Sequence, residues 1–265
     1  MLIIGERINS TRTKIREAIK SRDAAHIIKE AKDQLSAGAG YIDVNCAVTE
    51  GDELQDMDWV ISVIQSEIPD LRISIDSPNY LALEKGLKVF KANGDIFINS
   101  ITAEDSRIDN VLPLAIEYKA KLIALTIDEN GMPDTSEGRL NIAKRICDKV
   151  QKSGFNKEDL YIDALIRPIS TEPSQAVEFL KSIKLIKGLG VKTVCGLSNV
   201  SYGLPIRALV NSVFLAMAMR EGLDAAIIDP TETHIASSLA ASKAILGTDE
   251  YCGEYIRAFR QGKLA

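Results

Sequence analysis

Val191-Lys-Thr-Val-Cys-Gly-Leu-Ser-Asn-Val-Ser-Tyr-Gly-Leu-Pro-Ile-Arg207 contains one full unit of the pattern that decides the fold. Residues 191–195 are a short, mostly apolar run, as expected of a strand buried on both faces. The turn after it, from Gly196 onward, holds two glycines, two serines and an asparagine. Such a turn brings backbone and short polar side chains close to a ligand. Pro205, a residue favoured in a first helical turn, opens an apolar helical pattern over residues 204–221. Read alone, the stretch is an ordinary strand-to-helix connection. Its weight comes from the recurrence of the same order along the whole chain.

Working outward, short apolar runs at residues 2–5, 41–46, 72–76, 96–100, 121–126, 160–163, 191–195 and 225–229 read as strands. Between them lie amphipathic patterns. Asp23 caps a helix to about residue 37, in which Ala24, Ile27, Ile28, Ala31 and Leu35 recur at helical spacing. Helices follow at 54–66, 79–90 (behind Ser77-Pro78, read as cap and first-turn proline), 106–118, 136–153, 173–188 (opened by Pro173) and 204–221. Two more, at 232–246 and 250–260, finish the chain. Strict alternation implies a parallel sheet with right-handed crossovers. Eight units in about 250 residues fit a closed (β/α)8 TIM barrel. The alternative, an open doubly wound sheet, is disfavoured by the first turn. Gly5-Glu-Arg-Ile-Asn9 lacks GxGxxG, and Gly188-Leu-Gly190 precedes a strand instead of following one. No linker or low-complexity tract interrupts the pattern, so residues 1–265 are expected to form a single domain.

Composition narrows the function classes. The chain has 265 residues, 46% hydrophobic and 26% charged, with a formal net charge of −5. That is globular composition, and its acidic balance argues against a general nucleic-acid binder. The cysteines Cys46, Cys147, Cys195 and Cys252 form no CxxC pair and lie far from His26 and His234 in sequence. A reduced, cytoplasmic protein without a structural metal is the expectation, Cys46 and Cys195 at strand ends being the one pair that could approach. The apolar start at residues 1–4 is too short for a signal peptide, and no apolar run approaches the ~20 residues of a membrane span.

The polar residues at the strand ends carry the functional signal. In order they are Glu6 and Asn9, Asp43 and Asn45, Asp76, Asn99, Thr126 and Asp128, Asp163, Ser198 and Asn199, and Asp229. Each alone reads as a helix cap or turn former. In a barrel they converge on one mouth, where barrel enzymes place their sites. The set is rich in carboxylates and amides and poor in nucleophiles. There is no GxSxG elbow, neither histidine sits at a strand end, and no lysine stands where a Schiff-base barrel needs one. Asp43, Asp76 and Asp163 could hold magnesium. The accompanying amides suit an uncharged heterocycle better. A carboxylate accepts two parallel hydrogen bonds from an amidine-like edge, such as that of a pterin, and an asparagine donates and accepts at once.

Gly5-Glu-Arg-Ile-Asn9, Asp43-Val-Asn45, Asp76, Asn99 and the stretch from Gly196 to Pro205 resemble the methyltetrahydrofolate:corrinoid methyltransferases. These are pterin-binding barrels related to the folate domain of cobalamin-dependent methionine synthase and to dihydropteroate synthase. The resemblance spans essentially the whole chain. It implies that Asp76, Asn99 and Asp163 hydrogen-bond the pterin, with Gly196, Ser198 and Arg207 nearby. It places Asn199 at N5, the methyl-bearing atom. Glu6, Asn9, Asp43, Asn45 and Asp229 are implied as supporting residues.

The implied reaction moves a methyl group between N5 of tetrahydrofolate and the cobalt of a corrinoid, so the protein needs no nucleophile of its own. Its tasks are positioning and electrostatic stabilisation. Asn199 cannot supply a net proton and would act through its carbonyl oxygen, with the proton arriving through water. The base-off corrinoid motif Asp-x-His-x-x-Gly is absent, since Ala24 precedes His26 by two and Ser237 follows His234 by three. A separate corrinoid protein, docking transiently at the mouth, is therefore expected. The apolar helix at 204–221, with Val210, Val213, Phe214, Met217 and Met219, is expected to give most of these side chains to the core and the remainder to a homodimer interface. Two competing readings are a non-catalytic folate-binding component and a dihydropteroate-synthase-like enzyme. The latter lacks a basic residue at the seventh strand end, where Ser198 and Asn199 stand. The direction of transfer is open.

Overall fold

The computed structural model describes residues 1–49, 51–91 and 95–264. Eight parallel strands close into a barrel in sequence order: β1 (Leu2–Asn9), β2 (Tyr41–Asn45), β3 (Ile73–Asp76), β4 (Ile96–Ile101), β5 (Lys121–Leu125), β6 (Leu160–Asp163), β7 (Lys192–Gly196) and β8 (Ala225–Ile228), with β8 pairing back onto β1. Around them run α1 (Thr13–Ser21), α2 (Ala24–Ser36), α3 (Glu53–Glu67), α4 (Tyr80–Val89), α5 (Asp105–Glu117), α6 (Ser136–Lys152), α7 (Gln175–Lys187), α8 (Arg207–Arg220), α9 (Thr233–Ile245) and α10 (Gly253–Arg260). This is the (β/α)8 TIM barrel.

Strand alternation splits the apolar residues into two clusters. Ile42, Val44, Ile73, Ile75, Ile98, Leu122, Ile162 and Cys195 face outward and pack beneath the helices. Ile4, Tyr41, Phe97, Ile123, Tyr161, Val194 and Ala225 fill the barrel lumen. Burial on both faces is why the strands read as continuous apolar runs.

The structure differs from the sequence reading at several connections. β1 does not stop at Gly5 but continues to Asn9, so Gly5-Glu-Arg-Ile-Asn9 is strand and not turn. Helix α1 went unread because its buried stripe is only Ile15, Ala18 and Ile19. It ends at Arg22 in the left-handed region (φ 57°), after which Asp23 caps α2 by accepting from His26 N at 3.1 Å. The cap of α4 is Asn79, not Ser77: Asn79 Oδ1 accepts from Leu81 N at 3.1 Å, while Ser77 donates to Glu53 Oε1 at 2.5 Å. Pro173 and Pro205 both precede their helices instead of lying in the first turn. A 3-10 turn (Leu197–Ser201) occupies the start of the β7–α8 connection, and Ile206 adopts a left-handed conformation (φ 48°, ψ 49°) just before α8. Among the described residues no helix is long and apolar enough to cross a membrane.

Gly5 shows why the first strand tolerates no side chain there. A Cβ on it would lie 2.4 Å from Gln34 Oε1, the atom that accepts from Arg7 N at 2.9 Å. Gln34 is fully buried, so its side chain would have to shift within the core to admit a Cβ. Gly5→Ala is expected to destabilise the fold by about 2 kcal/mol, the sum of overpacking and a lost acceptor. Urea unfolding measures this, and a loss below a few tenths of a kcal/mol would contradict it.

Candidate active site

The polar strand-end residues share the lumen face with the apolar cluster, one step higher. Two residues beyond Ile4 stands Glu6. Asp43 and Asn45 follow Tyr41 in the same alternation, Asn99 follows Phe97, Asp163 follows Tyr161, Gly196 follows Val194, and Asp229 follows Ile227. Asp76 pairs in register with Asn45 on one side and Asn99 on the other, which puts it on the same face. Beneath them the lumen carries edge-to-face aromatics, Tyr41 against Phe97 (4.8 Å) and Phe97 against Tyr161 (4.9 Å).

Glu6 and Asn9 differ in parity, and an irregularity in β1 resolves this. The β1–β2 register runs Gly5↔Ile42, then Ile8↔Val44 and Asn9↔Asn45, so β1 has one extra residue between Gly5 and Ile8. The bulge aims Asn9 inward beside Asn45, where regular alternation would turn it outward. Asn9 Oδ1 is occupied locally, accepting from Thr11 N (3.0 Å) and Thr11 Oγ1 (2.7 Å).

The carboxylates have distinct environments. Asn45 Nδ2 donates to Asp76 Oδ2 at 2.8 Å, and Asn99 Nδ2 lies 3.4 Å from Asp43 Oδ1. Burial, reinforced by the Asp76 charge, pushes Asp43 well above the carboxylate range. Burial also raises Asp76, against the Asn45 hydrogen bond and the Arg107 guanidinium. Asp163 is pushed up to about 6 by burial, although it accepts from Leu165 N at 2.7 Å and Gly196 N at 3.3 Å. Glu6 rises to about 7, mainly through burial, while Ser198 Oγ donates to its Oε1 at 2.6 Å.

The β7 connection completes the mouth. Ser198 and Asn199 lie on the 3-10 turn. Asn199 is solvent-exposed, and its side chain makes no hydrogen bond to a described residue. Arg207 donates through Nη2 to Ser198 O (2.6 Å) and through Nε to Ser201 Oγ (3.0 Å), bracing the turn from the start of α8. Asp229 is held at the rim by Arg7 Nη1 (3.1 Å) and Arg12 Nη1 (3.6 Å). Asp43, Asp76 and Asp163 form no cluster fit for a metal: among the described residues no group of three His, Cys, Asp or Glu side chains could hold one.

Two supporting arginines escaped the sequence reading. Arg107 of α5 donates to Ser77 O (2.7 Å), Pro78 O (2.6 Å) and Ser100 O (2.9 Å), tying the ends of β3 and β4 together beside Asp76 and Asn99. Arg139, fully buried in the first turns of α6, donates to Pro133 O (3.1 Å) and to Gln175, and its charge acts to lower Asp163. Both sit in ordinary helical patterns, so their sequence context carries no signal.

A closed barrel whose mouth ranges carboxylates and amides over an aromatic floor defines a site for a flat, hydrogen-bonding heterocycle. Residues 5–229 match the family described as pterin binding enzyme, and the chain belongs to it. It is 33% identical over 268 residues to the methylcorrinoid:tetrahydrofolate methyltransferase of Eubacterium limosum, covering 100% of this chain and 98% of that protein. It is also 33% identical over 243 residues to the methionine synthase of Mycobacterium tuberculosis, covering 86% of this chain and 20% of that protein. The fold superposes on a dihydropteroate synthase from Yersinia pestis bound to a pterine-sulfa conjugate, with a TM-score of 0.70 at 14% identity over 93% of this chain and 94% of that one.

Proposed function

We propose that the protein is a methyltransferase that moves a methyl group between N5 of tetrahydrofolate and the cobalt of a corrinoid carried by a separate protein. The observation that carries this reading is the common lumen face of Asp43, Asp76, Asn99 and Asp163, in a chain that matches a methylcorrinoid:tetrahydrofolate methyltransferase from end to end. Asp76, Asn99 and Asp163 hold the pterin edge. Asn199, with its free amide, meets N5, and Gly196, Ser198 and Arg207 shape the wall beside it. Glu6, Asn9, Asp43, Asn45 and Asp229 support that arrangement. The corrinoid is a substrate brought to the mouth, and the chain acts as one unit over residues 1–265. Both directions run through the same groups, because stabilising the N5 transition state accelerates the reaction forward and backward alike.

Mixing the protein with methyltetrahydrofolate and cob(I)alamin tests the reading. Loss of the cobalt(I) absorbance and appearance of methylcobalt(III) is the expected result. Tight folate binding without that change would leave a folate binder in its place.

We infer further that two copies pair through α8. Of the apolar residues singled out on this helix, Phe214 is buried, Val210 and Met219 pack against the core, and Val213 and Met217 are exposed. Leu209, Val213 and Met217 form a stripe at i, i+4 and i+8, each at least 50% exposed. A two-fold contact sets such a stripe against its own copy. Val213→Glu is expected to convert a dimer into a folded monomer in sedimentation velocity. A wild-type monomer at tens of micromolar would refute the pairing.

A further inference from the structure

Methyl departure leaves an electron pair on N5 that must take up a proton, and the exposed amide of Asn199 has none to give. We propose that Glu6 supplies this proton through the hydroxyl of Ser198. The inference rests on the methyl-transfer reading of the site and deepens it.

Three features of the geometry support the route. Glu6 Oε1 and Ser198 Oγ are 2.6 Å apart, and Ser198 immediately precedes Asn199 on the same 3-10 turn. A hydroxyl can accept from a protonated carboxyl and donate onward in the same moment. Beside this pair lies a polar cavity of about 260 Å³, lined by Glu6, Ser198, Arg12, Arg207, Asn211 and Asp229 among others. At ~30 Å³ per molecule in the liquid, that space has room for several waters beside the carboxyl.

The other acids of the mouth are worse placed. Asp163 is pinned by two backbone N–H groups, and Asp43 lies against Asn99 beside Asp76. Asp229 is committed to Arg7 and Arg12.

Charged and titratable groups face Glu6 from every neighbouring element. Asp229 at the end of β8 raises its pKa. Arg12 in the β1–α1 connection and Arg207 of α8 lower it, and burial, the largest influence, brings it to about 7. Glu6 in turn raises Asp43 of β2 and the buried Cys195 of β7, and Glu232 lines the same cavity ahead of α9. A carboxyl in that range both holds and releases a proton at neutral pH.

The step balances as follows. The carbon–N5 bond breaks and its electron pair stays on N5. The methyl carbon bonds to cobalt with the metal's two electrons, taking cobalt(I) to methylcobalt(III). N5 takes the Ser198 hydroxyl proton as Ser198 receives that of Glu6, which is left as a carboxylate and is reprotonated through the cavity. In the opposite direction the Glu6 carboxylate collects the proton released from N5.

The test is single-turnover methyl transfer from methyltetrahydrofolate to cob(I)alamin between pH 5.5 and 8.5, with tetrahydrofolate affinity measured in parallel by fluorescence quenching. The wild-type rate is expected to fall above about pH 7. Glu6→Gln, which keeps the acceptor for Ser198, is expected to lose about 100-fold at pH 6 and to flatten that profile, with folate affinity within about threefold of wild type. Glu6→Asp should recover part of the rate together with the pH dependence, and Ser198→Ala should lose at least about tenfold. A Glu6→Gln profile of the same height or shape as wild type overturns the relay and leaves the methyl-transfer reading intact. A wild-type protein that binds folate but transfers no methyl overturns both. Should Glu6→Gln fail to fold, Ser198→Ala and Glu6→Asp decide the matter by the same two readouts.

Discussion

Replacing Asn199 by alanine is expected to slow methyl transfer by about 10²–10³, the usual effect of removing one preorganised polar group from a developing charge. Folate affinity should change by less than about threefold, because the proposed arrangement holds the pterin edge elsewhere, on Asp76, Asn99 and Asp163. Stability should stay within about 0.5 kcal/mol, since the Asn199 side chain is exposed and makes no hydrogen bond to a described residue that the truncation could break. Asp43→Ala should show the converse. It removes a buried acid beside Asn99 and leaves the Asn99 amide without its partner, so it should weaken folate binding and the fold while reducing turnover of bound substrate far less. The comparison separates a group that acts on the reacting atom from one that supports the site. Single-turnover rates and urea unfolding of both variants supply the data, and wild-type rates for Asn199→Ala would remove it from N5.

The barrel was legible because every strand is buried on both faces and every connection is helical, so alternation alone implied the topology. The candidate site was legible for a related reason. Polar residues such as Asp43, Asn99 and Asp163 interrupt apolar strands two residues beyond a lumen side chain, a position where water is scarce and a carboxylate is expensive unless it serves a ligand. The extension of β1 was hidden. Glu6 and Arg7 look like turn residues, and only the bulge, with Gln34 closing over Gly5 and Arg7 paired to Glu30 at 2.5 Å, shows them as strand. Contacts between distant residues were equally hidden. The pairing of Ser198 with Glu6 spans 192 positions, and Arg107 braces two strand ends from a helix with an unremarkable pattern. Prolines do not mark the first turns of α7 and α8. Pro205 lies ahead of a left-handed Ile206, and the chain turns once more before α8 begins.

The pH dependence of folate binding should run opposite to that of the stability contributed by Asp163. Asp163 is raised from an ordinary value near 3.9 to about 6, so the folded protein holds its proton more tightly than the unfolded chain does. Its contribution to stability is full below about pH 4 and is lost as pH rises through about 6. A pterin that donates two N–H groups needs the carboxylate, which accepts twice and donates nothing. Affinity should therefore rise about tenfold between pH 5 and pH 7 for Asp163 alone, with Asp76, raised in the same direction, adding to it. Asp163→Asn should remove its share of the slope. It sets an NH2 group against either Leu165 N–H or Gly196 N–H and offers the ligand one acceptor in place of two. The expected loss is about 2–4 kcal/mol of tetrahydrofolate affinity at pH 7, roughly 30- to 700-fold. Calorimetric titrations of wild type and Asp163→Asn at pH 5 and pH 7, beside thermal unfolding of the free proteins, measure both slopes. Wild-type affinity that stays flat over this range would mean that the ligand does not rest on an ionised Asp163.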